Sequence, residues 1–456
     1  MKEMKQYMIM AASAALLSSC GIYTSYKPAT EVPEQLFGEE VITEDTTSIA
    51  SLSWRALFTD PDLVALIEQG LANNTDYLTA GLKVQEAEAA LLSAKLAYLP
   101  SIALAPQGTL SHLEGHSLTK AYSLPATASW EIDLFGRLRN AKRQSQALLA
   151  QTKDYQQAVR CQLIAGIANT YYTLLMLDEQ LVISQETERT WAESARATRA
   201  LMEAGMANEA AASQMEAAHA QVSAAVLDLK DQINQVENSL SLLIAEPVHA
   251  VRRGKLGGQN WPSDLSVGVP VQLLANRPDV RSAERSLEQA FYATNAARSA
   301  FYPSITLSGS AGWTNSVGGM ISNPAQFVAS AVGSLTQPLF AKGQLLAQLN
   351  ITKAQQEEAS LSFQQALLNA GAEVNNALVQ YQTAKEKREL YAQQVNVLQK
   401  AYRSTSLLME HGTTTYLEVL TAQQSLLSAQ LTQVANEVTE IQSLIQLYQA
   451  LGGGAE

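Results

Sequence analysis

The sequence predicts an α+β membrane protein in which two copies of one unit combine long helical hairpins with strands of a barrel that several chains close. Internal repetition is the first observation. Ala94–Thr109 (AKLAYLPSIALAPQGT) matches Ala297–Gly312 (ARSAFYPSITLSGSAG) at an offset of 203 residues. Further on, Met202–Gly205 matches Met409–Gly412 at an offset of 207 residues. Because a solenoid needs about three or more stacked repeats, we expect two copies to close as part of a ring.

The N-terminus predicts an exported lipoprotein. Met1–Ser19 carries two lysines and then an apolar stretch far shorter than the roughly 20 residues of a spanning helix, which indicates a secretory signal peptide. Leu17–Cys20 (LSSC) fits a lipobox, in which cleavage leaves Cys20 as the lipid-modified first residue, carrying acyl chains such as palmitate. An ordinary cleavage site with a chance cysteine is the alternative. We expect residues 20–60 to form a lipid-anchored extended segment.

Composition excludes several classes of protein. The formal net charge is −12, and loss of the signal with two lysines and one glutamate makes the mature chain more negative, so nucleic acid is not an expected partner. Besides Cys20, only Cys161 is present, which rules out a disulfide framework and predicts a small buried hydrophobe. After the signal, no window approaches about 18 consecutive apolar residues, so no transmembrane helix is predicted.

Two segments of equal length predict two long helices. Residues 137–204 and 344–411 each contain 68 residues with no proline and one glycine, and at about 1.5 Å per residue such a helix is roughly 100 Å long. Gly205 and Gly412 follow them, as glycine often does where a helix ends. Heptad spacing predicts coiled-coil packing of the return helices, with these members: Val222, Val226, Leu229, Ile233, Val236, Leu240, Leu243, Leu417, Leu420, Gln424, Leu427, Leu431, Val434, Val438, Ile441, Ile445 and Tyr448.

Four segments predict strands of about the 9 to 11 residues that cross a bilayer, namely 101–110, 122–130, 304–313 and 328–337. In the third of these, apolar and small residues from Ile305 to Trp313 alternate with Ser, Thr and Gly, which suits lipid on one face and water on the other. Polar loops, His112–Lys120 and Asn315–Ala325, join each pair. Because a transmembrane barrel needs about eight strands, several chains must contribute.

These patterns divide the chain into six parts. The repeats each hold a helix, a β-hairpin and a long helical hairpin, which turns near residue 205 in the first and near 412 in the second. The parts are a signal peptide 1–19, an N-terminal segment 20–60, a first repeat 61–247 with a β-hairpin at about 101–132, a linker 248–270, a second repeat 271–451 with a β-hairpin at about 304–338, and a tail 452–456.

Several motifs together resemble one family. Leu274–Trp313, with its Ala275–Arg281 segment (ANRPDVR), and the junctions Trp130–Arg139 (WEIDLFGRLR) and Gln337–Phe340 (QPLF) are similar to those of the TolC-type and OprM-type outer-membrane channels of tripartite export systems, in particular the NodT-like lipoprotein branch. The resemblance runs from about residue 20 to 454. It implies a homotrimer in the outer membrane of a Gram-negative bacterium, with a 12-stranded β-barrel above a periplasmic tunnel of 12 helices.

The resemblance also implies roles for the helical tips. It assigns Gly205, Asn208, Gly412 and Thr415 to the end that contacts a periplasmic adaptor protein, and Glu418 with Thr421 to the periplasmic constriction. Threefold symmetry would place three copies of Glu418 in a ring. The alternative is a solvated acid near the positive end of a helix dipole.

At several tip positions this sequence departs from the family pattern. Many members carry an arginine four residues before each tip glycine, where this chain has Leu201 and Leu408. Many also carry acids six residues after the first glycine and nine after the second, where Ala211 and Thr421 stand here. Three positions after each glycine, where many members carry a small polar residue, this chain has Asn208 and Thr415.

Candidate ligand residues are few. His112 and His116 are four residues apart, but the intervening Gly115 indicates a loop rather than a metal-binding helix. A charge cluster follows Asn276, and we interpret it as a solvated helix start with Pro278 in the first turn and i,i+4 pairing, in preference to a ligand site. Its members are Arg277, Asp279, Arg281, Glu284 and Arg285.

The function expected from all of this is passive conduction, with no catalytic residue and no cofactor. Energy and substrate choice would belong to an inner-membrane pump of the resistance-nodulation-division type, joined through the adaptor, and the cargo would be drugs or other small molecules. An exit duct of a protein secretion system is one alternative. A lipid-anchored periplasmic coiled-coil scaffold, from a different class, is the other.

Overall fold

The computed structural model describes residues 25–28, 32, 36, 48–112, 114, 118–257, 261, 272–317 and 320–454, without the side chains of 273, 274, 317 and 320–324. The signal peptide and Cys20 lie outside the described residues, as do His116 and much of the linker. The chain forms two compact units. Each contains parts of both repeats. The first comprises Met1–Ala29, Leu82–Lys153 and Arg281–Gln365, and the second Thr30–Gly81, Asp154–Val280 and Ala366–Glu456.

Helices dominate the described chain, and the strands fall in two groups. In chain order, after a 3-10 turn at Ile49–Ser51, the elements are α1 Trp54–Leu57, α2 Pro61–Asn73, α3 Thr75–Leu96, β1 Ser101–Leu104, β2 Gln107–Ser111, β3 Thr119–Ile132, α4 Arg137–Glu203, α5 Glu209–Leu243, α6 Gln272–Asn276, α7 Pro278–Ser299, β4 Ser304–Val317, β5 Met320–Thr336, α8 Gln344–Glu410 and α9 Tyr416–Ala450.

The long helices repeat with equal lengths. α4 and α8 each have 67 residues, and α5 and α9 each have 35. These helices run without a break because they contain no proline, which would remove a backbone hydrogen bond and kink the helix. Within the described chain, no helix is both long enough and apolar enough to cross a bilayer. Cys161 is buried in α4, as the sequence predicts.

The predicted seam of α9 is confirmed over its C-terminal half, and near the tip it is met by Leu420 but not by Leu417. Val434, Val438, Ile441, Ile445 and Tyr448 are buried. Closer to the tip, the buried positions are Leu420, Gln423, Leu426 and Ala429, whereas Leu417 is 50% exposed. The seam members Leu420 and Leu427 lie in or against a core shared with α4 and α5, whereas Leu417 lies outside it.

One antiparallel sheet joins the two repeats. Its order is β1-β3-β4-β5, and β2 also pairs with β3. β3 of the first repeat pairs with β4 of the second from Ser123↔Thr314 to Ile132↔Ile305. The predicted strand 101–110 divides at Pro106, which has no backbone N–H to donate. Its neighbour Ala105 still donates to the carbonyl of Pro125 over 3.0 Å.

The sheet has one apolar and one hydroxyl-bearing face. Trp130 pairs with Leu307, and Trp313 pairs with Phe327, whose ring it meets edge to face at 5.3 Å. On the opposite face, Thr127 lies beside Ser310 and Ser310 beside Ser330, with 2.8 Å between the two serine oxygens. Successive strand residues point to opposite faces, so the alternation expected for β4 is present in the register.

The prediction that Asn315–Ala325 forms a loop is wrong. β4 continues to Val317 and β5 begins at Met320, with a register shift between Thr314 and Ser316. Asn315 is 1% exposed, because its amide donates to the carbonyl of Lys120 at 3.0 Å and accepts from the backbone N–H of Tyr122 at 2.7 Å. A residue type typical of loops therefore ties β4 to β3. The loop predicted at 112–120 also ends earlier, since β3 begins at Thr119.

The interpretation of the charge cluster as a solvated helix start is wrong for Glu284, which is buried, and for Arg277. Its side chain is buried, donates to the carbonyl of Ala450 at 3.0 Å and pairs with Glu373 at 2.7 Å. The physical reason is that the last carbonyl groups of α9 lack partners within the helix. Close packing also helps to bury Arg277. The backbone of Asn276 and Arg277 lies where a side chain at Gly452 would be. Pro278 does begin α7, as expected.

Candidate functional site: the tips of the two helical hairpins

The first tip is a glycine turn between α4 and α5. α4 ends at Glu203, and Gly205 has a φ of +74°, in the left-handed region that a side chain disfavours. The N–H of Gly205 donates to Met202 at 2.9 Å, and that of Met206 donates to Leu201 at 2.8 Å. These bonds use carbonyl groups that the helix end leaves unpaired.

Asn208 begins the return helix of the first tip. Its backbone is extended, and its side-chain oxygen accepts a hydrogen bond from the N–H of Ala211 at 2.8 Å. This is the N-cap interaction, for which asparagine is among the preferred residues. The structure therefore gives Asn208 a capping role within the turn, and its side chain is exposed.

The second tip repeats the turn with a different cap. Gly412 has a φ of +72°, and the N–H of Thr413 donates to Leu408 at 2.9 Å. Thr415 occupies the N-cap position of α9, but its side chain makes no capping hydrogen bond. Instead, the hydroxyl of Thr414 donates to the carboxylate of Glu418. The two tips share a backbone course and differ in side-chain chemistry.

Glu418 and Thr421 are both exposed on the first turns of α9. Residues three apart lie on one face of a helix, so their side chains share a face. The hydroxyl of Thr421 donates to the carbonyl of Leu417 at 2.8 Å. Glu418 lies in the first turn, where the helix dipole favours a negative charge.

The two tips are held side by side in the second compact unit. The hydroxyl of Tyr416 donates to the side-chain oxygen of Gln214 at 2.7 Å. Beneath this bond lies a core that joins α4, α5 and α9, with Tyr416 and Leu427 packed against it, and its buried members are Trp191, Ala195, Met215, Ala218, Val222 and Leu420. The sequence pattern did not identify this pair, because Gln214 and Tyr416 occupy different positions relative to their tip glycines.

Large apolar side chains stand exposed at both tips. Met206 is 72% exposed, Leu408 47% and Leu201 43%. Leu201 and Leu408 are the positions where the sequence lacks the arginine of the family pattern. Below them, Arg199 forms an ion pair with Glu216, which links α4 to α5. The tips therefore present apolar groups with charged residues behind them.

A charged network holds the described part of the linker to the first helical hairpin. Arg253 binds Asp178 of α4 at 2.5 Å and Glu237 of α5 at 2.5 Å. The hydrogen bond to Asp178 is the main cause that raises the pKa of Arg253, with Glu237 contributing in the same direction. Next to it, Tyr171 donates to Asp60 at 2.6 Å and accepts from the N–H of Gly254 at 3.0 Å.

Paired long helical hairpins, together with an antiparallel sheet that has one apolar and one hydroxyl-bearing face, define the class of outer-membrane channels. The chain belongs to the outer membrane efflux protein family, whose model matches residues 66–246 and 269–453. This confirms the resemblance inferred from the motifs. The protein is accordingly an efflux channel component of the outer membrane.

Relatives of known name match over nearly the whole chain. The cation efflux system protein CusC of Escherichia coli (strain K12) is 28% identical over 446 residues, which cover 97% of this chain and 98% of that protein. The pyoverdine export outer membrane protein OpmQ of Pseudomonas putida is 30% identical over 420 residues, 88% of each chain. The family assignment therefore applies to both repeats.

Solved structures agree with this assignment. A crystal structure of CusC has a TM-score of 0.86 and 27% identity, covering 95% of this chain and 100% of that one. The open state of the MtrE outer membrane channel of Neisseria gonorrhoeae has a TM-score of 0.84 and 27% identity, covering 96% of this chain and 99% of that one. The mostly helical architecture with two repeats is shared with these channels.

Proposed function

We propose that this chain forms a homotrimeric exit duct that passively conducts small molecules out of the cell. Four strands from each of three chains would close a 12-stranded barrel, and the helical hairpins would line a periplasmic tunnel of 12 helices. One observation carries this proposal. The described sheet has an open edge on each side, formed by β1 and β2 on one side and by β5 on the other. It also bears an apolar face, on which Ile102 and Leu335 are 76% and 68% exposed.

Open edges and an exposed apolar face both require partners. In a bilayer every backbone N–H and C=O must be satisfied, which only a closed ring of strands achieves. Copies of the same chain satisfy the edges by pairing β5 of one with β1 and β2 of the next. The apolar face then contacts lipid, and the Ser and Thr side chains line an aqueous lumen.

The partners follow from the duct's position. A passive duct needs no catalytic residue and no cofactor, so an inner-membrane pump of the resistance-nodulation-division type, joined by a periplasmic adaptor, would supply energy and select cargo. Relatives are named for export of cations and of pyoverdine, which favours small-molecule cargo over the protein-secretion alternative. The family match disfavours a coiled-coil scaffold.

We further propose the roles of the site residues. Gly205, Asn208, Gly412 and Thr415 shape the tips that contact the adaptor. Glu418 and Thr421 face the threefold axis, where three carboxylates form a ring that favours cations. Support comes from the exposure of Glu418 and Thr421 on one face of α9 and from the exposed apolar groups at the tips.

The processing of the chain belongs to the same proposal. Residues 1–19 are removed, Cys20 is lipidated, and residues 20–60 form the anchored segment. The two repeats are 61–247 and 271–451, joined by the linker 248–270 and followed by the tail 452–456. The lipobox-like Leu17–Cys20 and the repeated lengths of the long helices support these divisions.

A matched pair of substitutions on β5 tests the barrel. Ala329→Arg places a charge on the apolar face, at a cost of about 2 to 4 kcal/mol near the bilayer midplane, whereas Ser330→Arg places it on the hydroxyl face. We expect the first variant to lose trimers from outer-membrane fractions. The second should retain trimers and show altered single-channel conductance in planar bilayers. Equal assembly of both variants, or absence of conductance from the unmodified protein, would contradict the duct.

A further inference from the structure

The first turns of the long helix α4 carry a basic face. Arg139, Lys142 and Arg143 stand at positions i, i+3 and i+4, which lie on one face of a helix. Arg137 does not share this face and pairs with Glu131 instead. Among the described residues, no carboxylate forms an ion pair with any of the three cations on the shared face. We call Arg139, Lys142 and Arg143 the basic triad.

Two aromatic side chains connect the basic triad to the apolar face of the sheet. Trp130 stands on that face, paired with Leu307, and its indole N–H donates to the carbonyl of Tyr98 at 2.8 Å. The ammonium of Lys142 lies 5.9 Å from the centre of the Tyr98 ring, which is a cation–π distance. Lys142 therefore lies at the end of the apolar face, whereas Glu131 and its partner Arg137 belong to the hydroxyl-bearing face.

The two arginines of the basic triad also act on Tyr98. Burial is the main cause that raises the pKa of Tyr98, Asp133 raises it further, and Arg139 and Arg143 lower it. The carboxylate of Asp133 already accepts a hydrogen bond from the backbone N–H of Arg139 at 2.8 Å. Three positive charges therefore stand against one negative charge around this ring. Such a local excess of positive charge contrasts with the net charge of −12 of the whole chain.

The second repeat builds the same junction without these charges. There the side-chain amide of Gln337 donates to the carbonyl of Phe301 at 3.0 Å, as Trp130 does to Tyr98 in the first repeat. α4 and α8 both have 67 residues, so positions can be matched from their first residues. The residues of α8 that match the basic triad are uncharged, namely Leu346, Leu349 and Asn350. The junction can therefore fold without a basic triad, which favours a role in binding a partner.

The position of the basic triad limits the chemistry of that partner. Aromatic side chains mark both ends of the apolar face, Trp130 at one end and Trp313 with Phe327 at the other. In membrane β-barrels, such aromatic residues lie at the two interfaces between acyl chains and water. The triad lies just beyond Trp130, at the level where headgroups replace acyl chains. Phosphate is the headgroup component that arginine and lysine bind with charge-assisted hydrogen bonds.

We propose that the basic triad binds the phosphate of an anionic phospholipid in the leaflet that faces the periplasm, with the acyl chains against the apolar face beside Trp130. This inference rests on the proposed barrel. A phospholipid fits better than a soluble phosphate, because only the lipid contacts the apolar face and the basic triad together. By symmetry, a trimer holds such lipids at three equivalent positions.

The charges set the size of the expected lipid preference. One basic residue near an anionic lipid surface strengthens binding roughly fivefold, so an excess of two positive charges predicts a preference of about 25-fold for phosphatidylglycerol over phosphatidylcholine with the same acyl chains. Lys142→Gln alone should lower this preference about fivefold. Added salt should lower it as well, because screening weakens interactions between exposed charges.

Three forms of the purified full-length protein test the basic triad. The unmodified trimer is compared with a triad variant, Arg139→Gln, Lys142→Gln and Arg143→Gln. A control variant removes three exposed cations of the second compact unit, by Arg196→Gln, Lys230→Gln and Lys385→Gln. Each form is incubated in detergent with equimolar phosphatidylglycerol and phosphatidylcholine, and native mass spectrometry counts the lipids that stay bound. We expect the unmodified and control trimers to prefer phosphatidylglycerol about 25-fold, and the triad variant to show no preference.

The possible outcomes separate this inference from the proposed duct. Trimers that bind both lipids equally, or a preference that survives in the triad variant, would overturn the inference. Displacement of the bound lipid by an equal concentration of inorganic phosphate would overturn it too, because the basic triad would then recognise phosphate alone. Lys142→Gln keeps the test decisive if the triad variant assembles poorly. An unmodified protein that forms no trimers would overturn the proposed duct, and the placement of the basic triad with it.

Discussion

Arg277 donates a hydrogen bond from its guanidinium to the carbonyl oxygen of Ala450, over 3.0 Å and 173 residues of sequence. The same guanidinium binds Asp279 at 2.6 Å and Glu373 at 2.7 Å. It therefore joins the start of α7, the middle of α8 and the C-terminal end of α9. A cation at this end of α9 is also favoured by the helix dipole.

Replacing Arg277 should destabilise the second compact unit. Arg277→Leu leaves the Ala450 carbonyl and two carboxylates without their partner. Loss of one member of a buried pair costs about 3 to 5 kcal/mol, and we expect about 2 kcal/mol, because Asp279 and Glu373 are 50% and 57% exposed. Thermal unfolding of the purified protein measures the change. Arg55→Leu, which breaks an exposed pair with Glu68, is the control and should shift stability little. Equal shifts for both variants would contradict a stabilising role of Arg277 in joining α7, α8 and α9.

The turn at Gly412 should be sensitive to side-chain shape. Gly412→Val forces a β-branched residue into a left-handed conformation at φ +72°, at a cost of about 1 to 2 kcal/mol. Gly412→Asn is the control, because asparagine tolerates that region. We expect lost efflux with normal trimer amounts for the valine variant and near-normal efflux for asparagine. Drug or metal resistance of a strain that depends on this channel provides the measurement. Unchanged resistance with valine would count against the tip as the adaptor contact.

Glu418 should control ion selectivity if its three copies form a ring. Glu418→Gln should weaken cation selectivity and block by multivalent cations, without loss of trimers, because it removes the charges that attract them. Reversal potentials of single channels at low salt, where screening is least, measure this. Glu209→Gln changes an acid in the first turn of α5 and should leave selectivity unchanged. If both variants behave like the unmodified channel, the constriction lies elsewhere.

Glu437 should make stability depend on pH. Burial raises its pKa above the ordinary value of 4.5, Glu440 and Glu179 raise it further, and Arg388 lowers it. Since the folded state then holds the proton more tightly than the unfolded state, stability falls as pH rises from the unfolded pKa through the folded pKa. Glu437→Gln should remove this dependence and raise the unfolding temperature at neutral pH, with a smaller gain below pH 4.5. A gain that is the same at all pH values would exclude titration as its cause.

The long helices and their turns could be predicted from sequence because their signals are local. Absence of proline sets the continuity of α4 and α8, and glycine marks Gly205 and Gly412. Pairings between distant residues carry no such signal. Arg277 with Ala450, and Tyr416 with Gln214, follow from tertiary packing alone. At Asn315 a local signal was misleading. Asparagine is common in loops, but here it is buried in a strand and makes two hydrogen bonds to β3.

The pairing of β3 with β4 bears on how the chain arose and how it is made. Neither repeat contains the complete sheet. A nascent chain that stops after the first repeat therefore leaves β3 with an unpaired edge, which favours aggregation. The same pairing would serve equally well between separate molecules. An ancestor that encoded one repeat could have built the same ring from twice as many subunits. Gene fusion would then have replaced every second subunit boundary with the covalent connection that contains the linker.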